Sequence, residues 1–176
     1  AMFGIYWTWS CLLAPIIQWS PATEKLIGLI CLYGIGLCLF LLIAKPVLHA
    51  ADMPRSGLTF KGILFCILLQ FSALMVFSLL NIVLSVTGMV SAAPDMNRTT
   101  PSMLFLLLVF NPVMEELVFR KLLGHILLPH GKGFFIPASA FCFAIVHGVA
   151  LGLPQVVYTF LLGLIWGWVY ARCGRF

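Results

Sequence analysis

Residues 103–128 read MLFLLLVFNPVMEELVFRKLLGHILL, an apolar run interrupted by two adjacent acids, Glu115 and Glu116. Only five of the 176 residues are acidic. A carboxylate at the centre of a bilayer costs at least ~2.5–3.5 kcal/mol even on permissive insertion scales, so two together need a compensating partner. Either they face a polar cavity and do chemistry, or a partner such as Arg120 neutralises them. Both conditions can hold together.

The sequence around this run is of the same kind. It is 62% hydrophobic and 9% charged, whereas soluble domains carry about 25% charged residues. Apolar segments recur to the end of the chain, which a signal peptide alone does not explain. The composition therefore predicts an all-α, polytopic integral membrane protein, a helical bundle of about six spans. The segments are drawn at residues 2–19, 26–44, 62–90, 102–124, 134–150 and 154–171. The third is long enough to tilt or to project from the bilayer. A single membrane domain over 1–176 is expected, with less distinctive helices through residue 100 and a motif-bearing core over 101–176.

Charge placement gives the expected orientation. Lys45, Arg55, Lys61, Lys121, Lys132, Arg172 and Arg175 fall on one side of the spans, against Lys25 and Arg98 on the other. Seven against two places both chain ends and the basic loops in the cytoplasm. The net charge of +5 comes from single residues between apolar runs, so no nucleic-acid partner is expected. The lipid bilayer is. Residues 44–61 read as an interfacial loop and Ser91 to Ser102 as the main external loop, where Asn97-Arg98-Thr99 has the form of a glycosylation acceptor. Trp7, Trp9, Trp19, Trp166 and Trp168 lie towards segment ends, as interface anchors do. Six cysteines include no CxxC pair and read as small apolar packing residues.

The candidate chemistry lies in three successive segments. Glu116 and Arg120 are four apart and share a helical face, which allows an ion pair. Glu115 points ~100° away from Glu116 and is free to meet a different neighbour. One reading makes the pair a structural clamp and Glu115 the carboxylate that takes a proton from water; the other makes the whole group a buried Glu–Arg pair joining helices. Asn111-Pro112, one turn earlier, predicts a kink, because proline removes a backbone donor and frees a carbonyl. In the next segment His147 is the histidine within an apolar run, and Phe143 shares its face and can buttress the ring. His147 is either a packing residue or, beside two carboxylates, a base, proton shuttle or metal ligand. His49, His125 and His130 lie in or near loops. In the last segment Gly163 and Gly167 form a small-xxx-small face for close helix approach.

Glu115-Glu116-Leu-Val-Phe-Arg120, then Phe143-Ala-Ile-Val-His147, then Phe160-Leu-Leu-Gly163-Leu-Ile-Trp-Gly167 resemble the CAAX-processing and bacteriocin-processing (Abi) family of intramembrane glutamate endopeptidases, whose members include type II CAAX prenyl endopeptidases. The likeness covers about residues 101–176. It implies an α-helical intramembrane peptidase in which Glu115 is the general base, His147 helps to bind and orient the water, and Glu116 and Arg120 support the site. Phe143 belongs to the histidine motif, and Phe160, Gly163 and Gly167 to the packing helix. No cofactor is expected. Zinc held by Glu and His is the alternative, although the sequence has no HExxH or other compact zinc spacing.

The family's fourth motif, His-x-x-x-Asn or Asp, has no counterpart, since residues 148–176 contain neither His nor Asn. Either the chain continues into a seventh helix after Phe176, or the member lacks the donors that stabilise an oxyanion, a loss worth about 10²–10³ in rate per donor. Two functions follow. One is an endopeptidase that cleaves a hydrophobic or lipidated peptide or the end of a membrane protein. The other is a catalytically weak member that binds another membrane protein as a scaffold or regulatory subunit. Glu115 and His147 are expected to converge on one polar cavity, close enough to share a water or a substrate carbonyl, but depth counting on the segments above sets the two residues at unequal heights. Convergence requires a tilted fifth segment or a boundary one turn away.

Overall fold

The computed structural model describes residues 2–16, 20–45, 57–88 and 104–173. These residues form six helices and, among them, no strand, so the fold is all-α. Contacts divide the chain into two compact units, Ala1–His49 and Ala50–Phe176.

The first unit contains α1 (residues 2–13) and α2 (residues 21–44). Ser20 starts α2 by accepting the Thr23 N–H at 3.3 Å, and Pro21 follows at the first helical position. Such a position wants a hydroxyl cap and tolerates a residue without an N–H. Trp9 is buried in this unit. A Cβ added to Gly28 would lie 3.8 Å from the Trp9 ring, so the indole packs on the bare backbone of α2. Trp19 lies outside the described residues.

The second unit contains α3 (Phe60–Val86), α4 (residues 106–130), α5 (Lys132–Leu151) and α6 (Leu153–Cys173). Thr59 caps α3 through the Gly62 N–H at 3.3 Å. At 1.5 Å per residue this 27-residue helix is about 40 Å long, beyond the ~30 Å of a hydrocarbon core. Phe65, Phe71, Met75 and Leu79 are exposed on it, while the small Cys66 and Ala73 are buried. Large apolar side chains outside and small ones inside suit a helix surrounded by lipid. Phe77, on the same face as Ala73, meets Tyr158 of α6 at 5.3 Å between ring centroids.

Helices α5 and α6 form an antiparallel pair joined at Gly152, whose φ of +83° favours glycine. Their approach is closest at Gly163, where an added Cβ would lie 2.7 Å from the Ala140 Cα. At Gly167 the nearest atom, in Ile136, is 3.7 Å away. Of the two glycines expected to pack, only Gly163 therefore lacks room for a methyl. Phe160 is half-buried on α6. A third close approach, absent from the sequence reading, joins α4 to α6: a Cβ on Gly124 would lie 2.8 Å from the Tyr170 ring. Tyr170 packs with Phe135 and Ala171 in the core of this unit, flanked by Leu127, Leu128 and Ile136.

Among the described residues, three helical stretches are long and apolar enough to cross a membrane: Leu26–Ala44, Phe60–Val86 and Leu153–Cys173. Lys132–His147 is a shorter apolar stretch. The count of about six spans drawn from apolar runs is thus not reproduced by helix length and composition. The described part of α1 is short, and α4 carries Glu115, Glu116, Arg120 and Lys121 within two turns. The six cysteines are free. Residues 46–56 and 89–103, with Arg55, Asn97 and Arg98, lie outside the described residues.

The two glycines of α6 should separate on substitution. Gly163→Ala is expected to lower stability in detergent by about 1–3 kcal/mol through overpacking, whereas Gly167→Ala should stay within about 0.5 kcal/mol of the parent. Thermal unfolding followed by circular dichroism reads both, and equal shifts would contradict the difference in room.

Candidate active site

Glu115 is on α4 and His147 on α5, and what brings them together is the turn between these helices. Gly131, with φ +100°, closes α4 through its N–H to the Leu128 carbonyl at 2.9 Å. Its own carbonyl accepts the N–H groups of Phe134 and Phe135 and so opens α5. Glu115 stands 16 residues before this glycine (131 − 115) and His147 stands 16 after it (147 − 131). In an antiparallel hairpin equal counts give equal heights. The depth mismatch expected from the sequence came from ending the fourth segment at residue 124, whereas α4 continues to His130. Segment five also starts earlier than expected, at Lys132.

Helix α4 is not uniform. It widens into π-type turns at Leu106–Phe110 and Glu116–Leu122, with an α-helical stretch at Asn111–Glu115 between them. Pro112 lies inside this continuous helix, where its missing N–H removes one backbone bond to the preceding widened turn. Widened turns of this kind recur at functional sites. The second one begins at Glu116, directly after Glu115.

Three contacts run up the facing stripes of α4 and α5. At the bottom, the Ser139 hydroxyl donates to the Phe119 carbonyl at 2.8 Å, with Ser139 fully buried. In the middle, Phe143 packs edge-on against Phe119 at 5.2 Å, and the Arg120 guanidinium sits 4.8 Å from the Phe143 ring centroid. At the top, His147 Nε2 lies 3.5 Å from Glu115 Oε1. Ser139, Phe143 and His147 are spaced by four, one face of α5. Phe143 also stands edge-on to the His147 ring at 4.7 Å and limits its rotation.

The His147 ring is oriented from both sides. Its Nδ1 is 2.9 Å from the Phe143 carbonyl. A carbonyl oxygen only accepts, so Nδ1 carries the hydrogen and donates it. The other nitrogen, Nε2, therefore faces the Glu115 carboxylate with a lone pair, unless the pair holds one further proton. Side-chain exposures of 21% for His147 and 27% for Glu115 leave both groups reachable. A carboxylate and an imidazole so placed can exchange a single proton between themselves or with a molecule that touches both.

Glu116 and Arg120 form the other pair. Arg120 Nε is 3.9 Å from Glu116 Oε2, an ion pair held by charge rather than by a hydrogen bond. Arg120 is buried, whereas the Glu116 side chain is a third exposed. Glu116 Oε1, Arg120 Nε and Asn111 Oδ1 are buried without a hydrogen-bond partner, so polar capacity is concentrated within a few turns of α4. Among the described residues, no three His, Cys, Asp or Glu side chains gather in a group able to hold a metal.

The sequence reading named Glu115, Glu116, Arg120, Phe143 and His147, and these five are neighbours in the structure. Ser139 was missed, although its spacing of four and eight from Phe143 and His147 was open to counting. Phe160, Gly163 and Gly167 lie on α6, which packs against α5.

Residues 97–176 match the family model described as type II CAAX prenyl endopeptidase Rce1-like. The motif-bearing part of the chain is similar to this family. The matched Rce1-like family is one of proteases, and the match spans α4, α5 and α6 with every residue of the three-rung contact. No curated protein and no solved structure matches the chain.

Removal of one partner from the Glu116–Arg120 pair should affect folding more than a surface pair would. Glu116→Gln is expected to cost more than the ~1 kcal/mol of an exposed pair but less than the ~3–5 kcal/mol of a fully buried one, because Glu116 is partly exposed. Denaturation in mixed micelles measures the loss; a change below a few tenths of a kcal/mol would mean that the pair does not hold this helix.

Proposed function

We propose that this chain acts as an intramembrane endopeptidase in which Glu115 activates water to cleave a hydrophobic or lipidated peptide or the end of a membrane protein. The observation that carries the reading is the 3.5 Å approach of His147 Nε2 to Glu115 Oε1, with the far side of the imidazole tied to the Phe143 carbonyl. A water at about 2.8 Å, hydrogen-bond distance, from both groups fits this spread. Glu115 accepts a proton from that water, and the oxygen attacks the scissile carbonyl carbon. The carbon–nitrogen bond then breaks, and the proton goes to the leaving amine. A carboxylic acid and an amine result, with Glu115 returned to its starting state. His147 holds the water in line, and its Nδ1–H···O bond keeps the ring from turning away.

In this reading Glu116 and Arg120 hold the widened turn that follows Glu115, and Phe143 separates the guanidinium from the imidazole. The chemistry uses no cofactor. The substrate reaches the dyad from within the bilayer or from its surface, and the chain is oriented with its basic loops in the cytoplasm. The Rce1-like match supports the peptidase class; the pairing of Glu115 with His147 supports the assignment of the base.

Glu115→Gln keeps the size of the side chain but not its basicity. It is expected to abolish cleavage of a farnesylated CAAX peptide, and of an unlipidated hydrophobic peptide, by full-length protein in vesicles, with helicity and micelle size unchanged. Mass spectrometry of the released fragment gives the readout. Undiminished cleavage would remove Glu115 as the base, whereas no cleavage of either peptide by the parent would remove the peptidase reading and leave a membrane scaffold, for which binding to a partner should depend on the Gly163 face instead.

A further inference from the structure

We infer that Ser139 is a positioning residue for the Glu115–His147 dyad, fixing the register of α5 on α4 through its hydrogen bond to the Phe119 carbonyl. The inference rests on the proposed function for its catalytic meaning, but its geometric content stands apart. Aromatic contacts such as Phe119–Phe143 at 5.2 Å tolerate sliding, because ring pairs accept offset and edge-on arrangements over a range of centroid separations, ~4.5–7 Å. The cation–ring contact of Arg120 with Phe143 is equally tolerant. A hydrogen bond is not, since it weakens steeply with angle and length. The Ser139–Phe119 bond is a directional contact below the dyad, at 2.8 Å and with no exposure.

Its acceptor is equally well placed. The Phe119 carbonyl belongs to the widened turn Glu116–Leu122, four residues from Glu115 on the same face. Hydroxyls elsewhere turn back to their own helix, as those of Ser72 and Ser78 do, whereas Ser139 reaches across to α4, and that bond keeps its length and angle only in the register that brings the Phe119 carbonyl to it. Ser139 lies two turns from His147 on a rigid helix, and a sliding of α5 at Ser139 is passed directly to the imidazole. The close approach of Gly163 to Ala140 lies at the residue next to Ser139. The serine thus stands between the tight α5–α6 contact and a carbonyl of α4 that directs it.

The test uses the full chain in micelles with 15N-labelled histidine. The ring signals of His147 are identified by their loss in His147→Gln, and their change on Glu115→Gln is then measured in the parent and in Ser139→Ala. Glu115 faces the ring from α4, with Glu116 and Arg120 on the same helix held unchanged throughout. The expected result is that Ser139→Ala folds but loses half or more of the response of His147 to Glu115→Gln. Cleavage should fall about tenfold to a hundredfold in kcat with KM within a factor of about two, because a 1 Å misplacement can cost about 100-fold. Ser139→Thr, which keeps the hydroxyl, should recover part of the response. An unchanged response in a folded Ser139→Ala overturns the inference. Failure of Ser139→Ala to fold overturns it as well, since the hydroxyl would then be required by the hairpin and not by its register. If the parent cleaves neither peptide while the ring response still depends on Ser139, the peptidase reading fails and the positioning claim survives.

Discussion

A carboxylate placed in an apolar helical hairpin must be given a partner, and the arrangement of α4 and α5 follows from how Glu115 and Glu116 receive theirs. Adjacent residues on a helix point ~100° apart, so no single neighbour can serve both. Glu116 turns to Arg120 on its own helix at 3.9 Å. Glu115 is left to find its partner across the interface, in His147. The two solutions differ in consequence. A partner on the same helix fixes a side chain locally, whereas a partner on another helix makes the side chain's environment depend on how the two helices are set against each other.

That dependence explains why so much of the second unit serves the interface. Phe143 is shared by three neighbours, touching Phe119, Arg120 and His147 at once. Its backbone carbonyl contributes as well, holding the imidazole hydrogen. Close approach of α6 at Gly163 seats α5 from behind, and Tyr170 against Gly124 brings α6 onto α4. The widened turn at Glu116–Leu122 then lets α4 present Arg120 to the Phe143 ring while the Phe119 carbonyl turns to Ser139.

Much of this was legible in the sequence, for reasons that can be assigned. An all-α fold followed from apolar runs with few charges, and the Glu116–Arg120 neighbourhood from a spacing of four. The Phe143–His147 contact followed in the same way. What was not legible depended on tertiary context. LLGHILLPHGKG at residues 122–133 mixes His, Pro, Gly and Lys and reads as a segment end, yet α4 runs through most of it. Interior packing of Leu127 and Leu128 against Phe135 sustains the helix past those residues. Ser139 looked like any small polar residue within an apolar run. Gly163 and Gly167 looked equivalent, and only the position of Ala140 distinguishes them. Trp9 had the sequence position of an interface residue and the burial of a core one.

The equal counting of Glu115 and His147 from Gly131 makes the site sensitive to length rather than to composition. Exchanging one side chain for another in the stretch between them alters packing locally. Inserting or deleting a single residue in that turn would rotate one helix by ~100° and shift it by ~1.5 Å relative to the other, carrying His147 off the face that meets Glu115. The intervening segment therefore acts as a ruler. Its composition can drift wherever a residue is exposed, as Phe134 and Phe141 are, but its number of residues is part of the site.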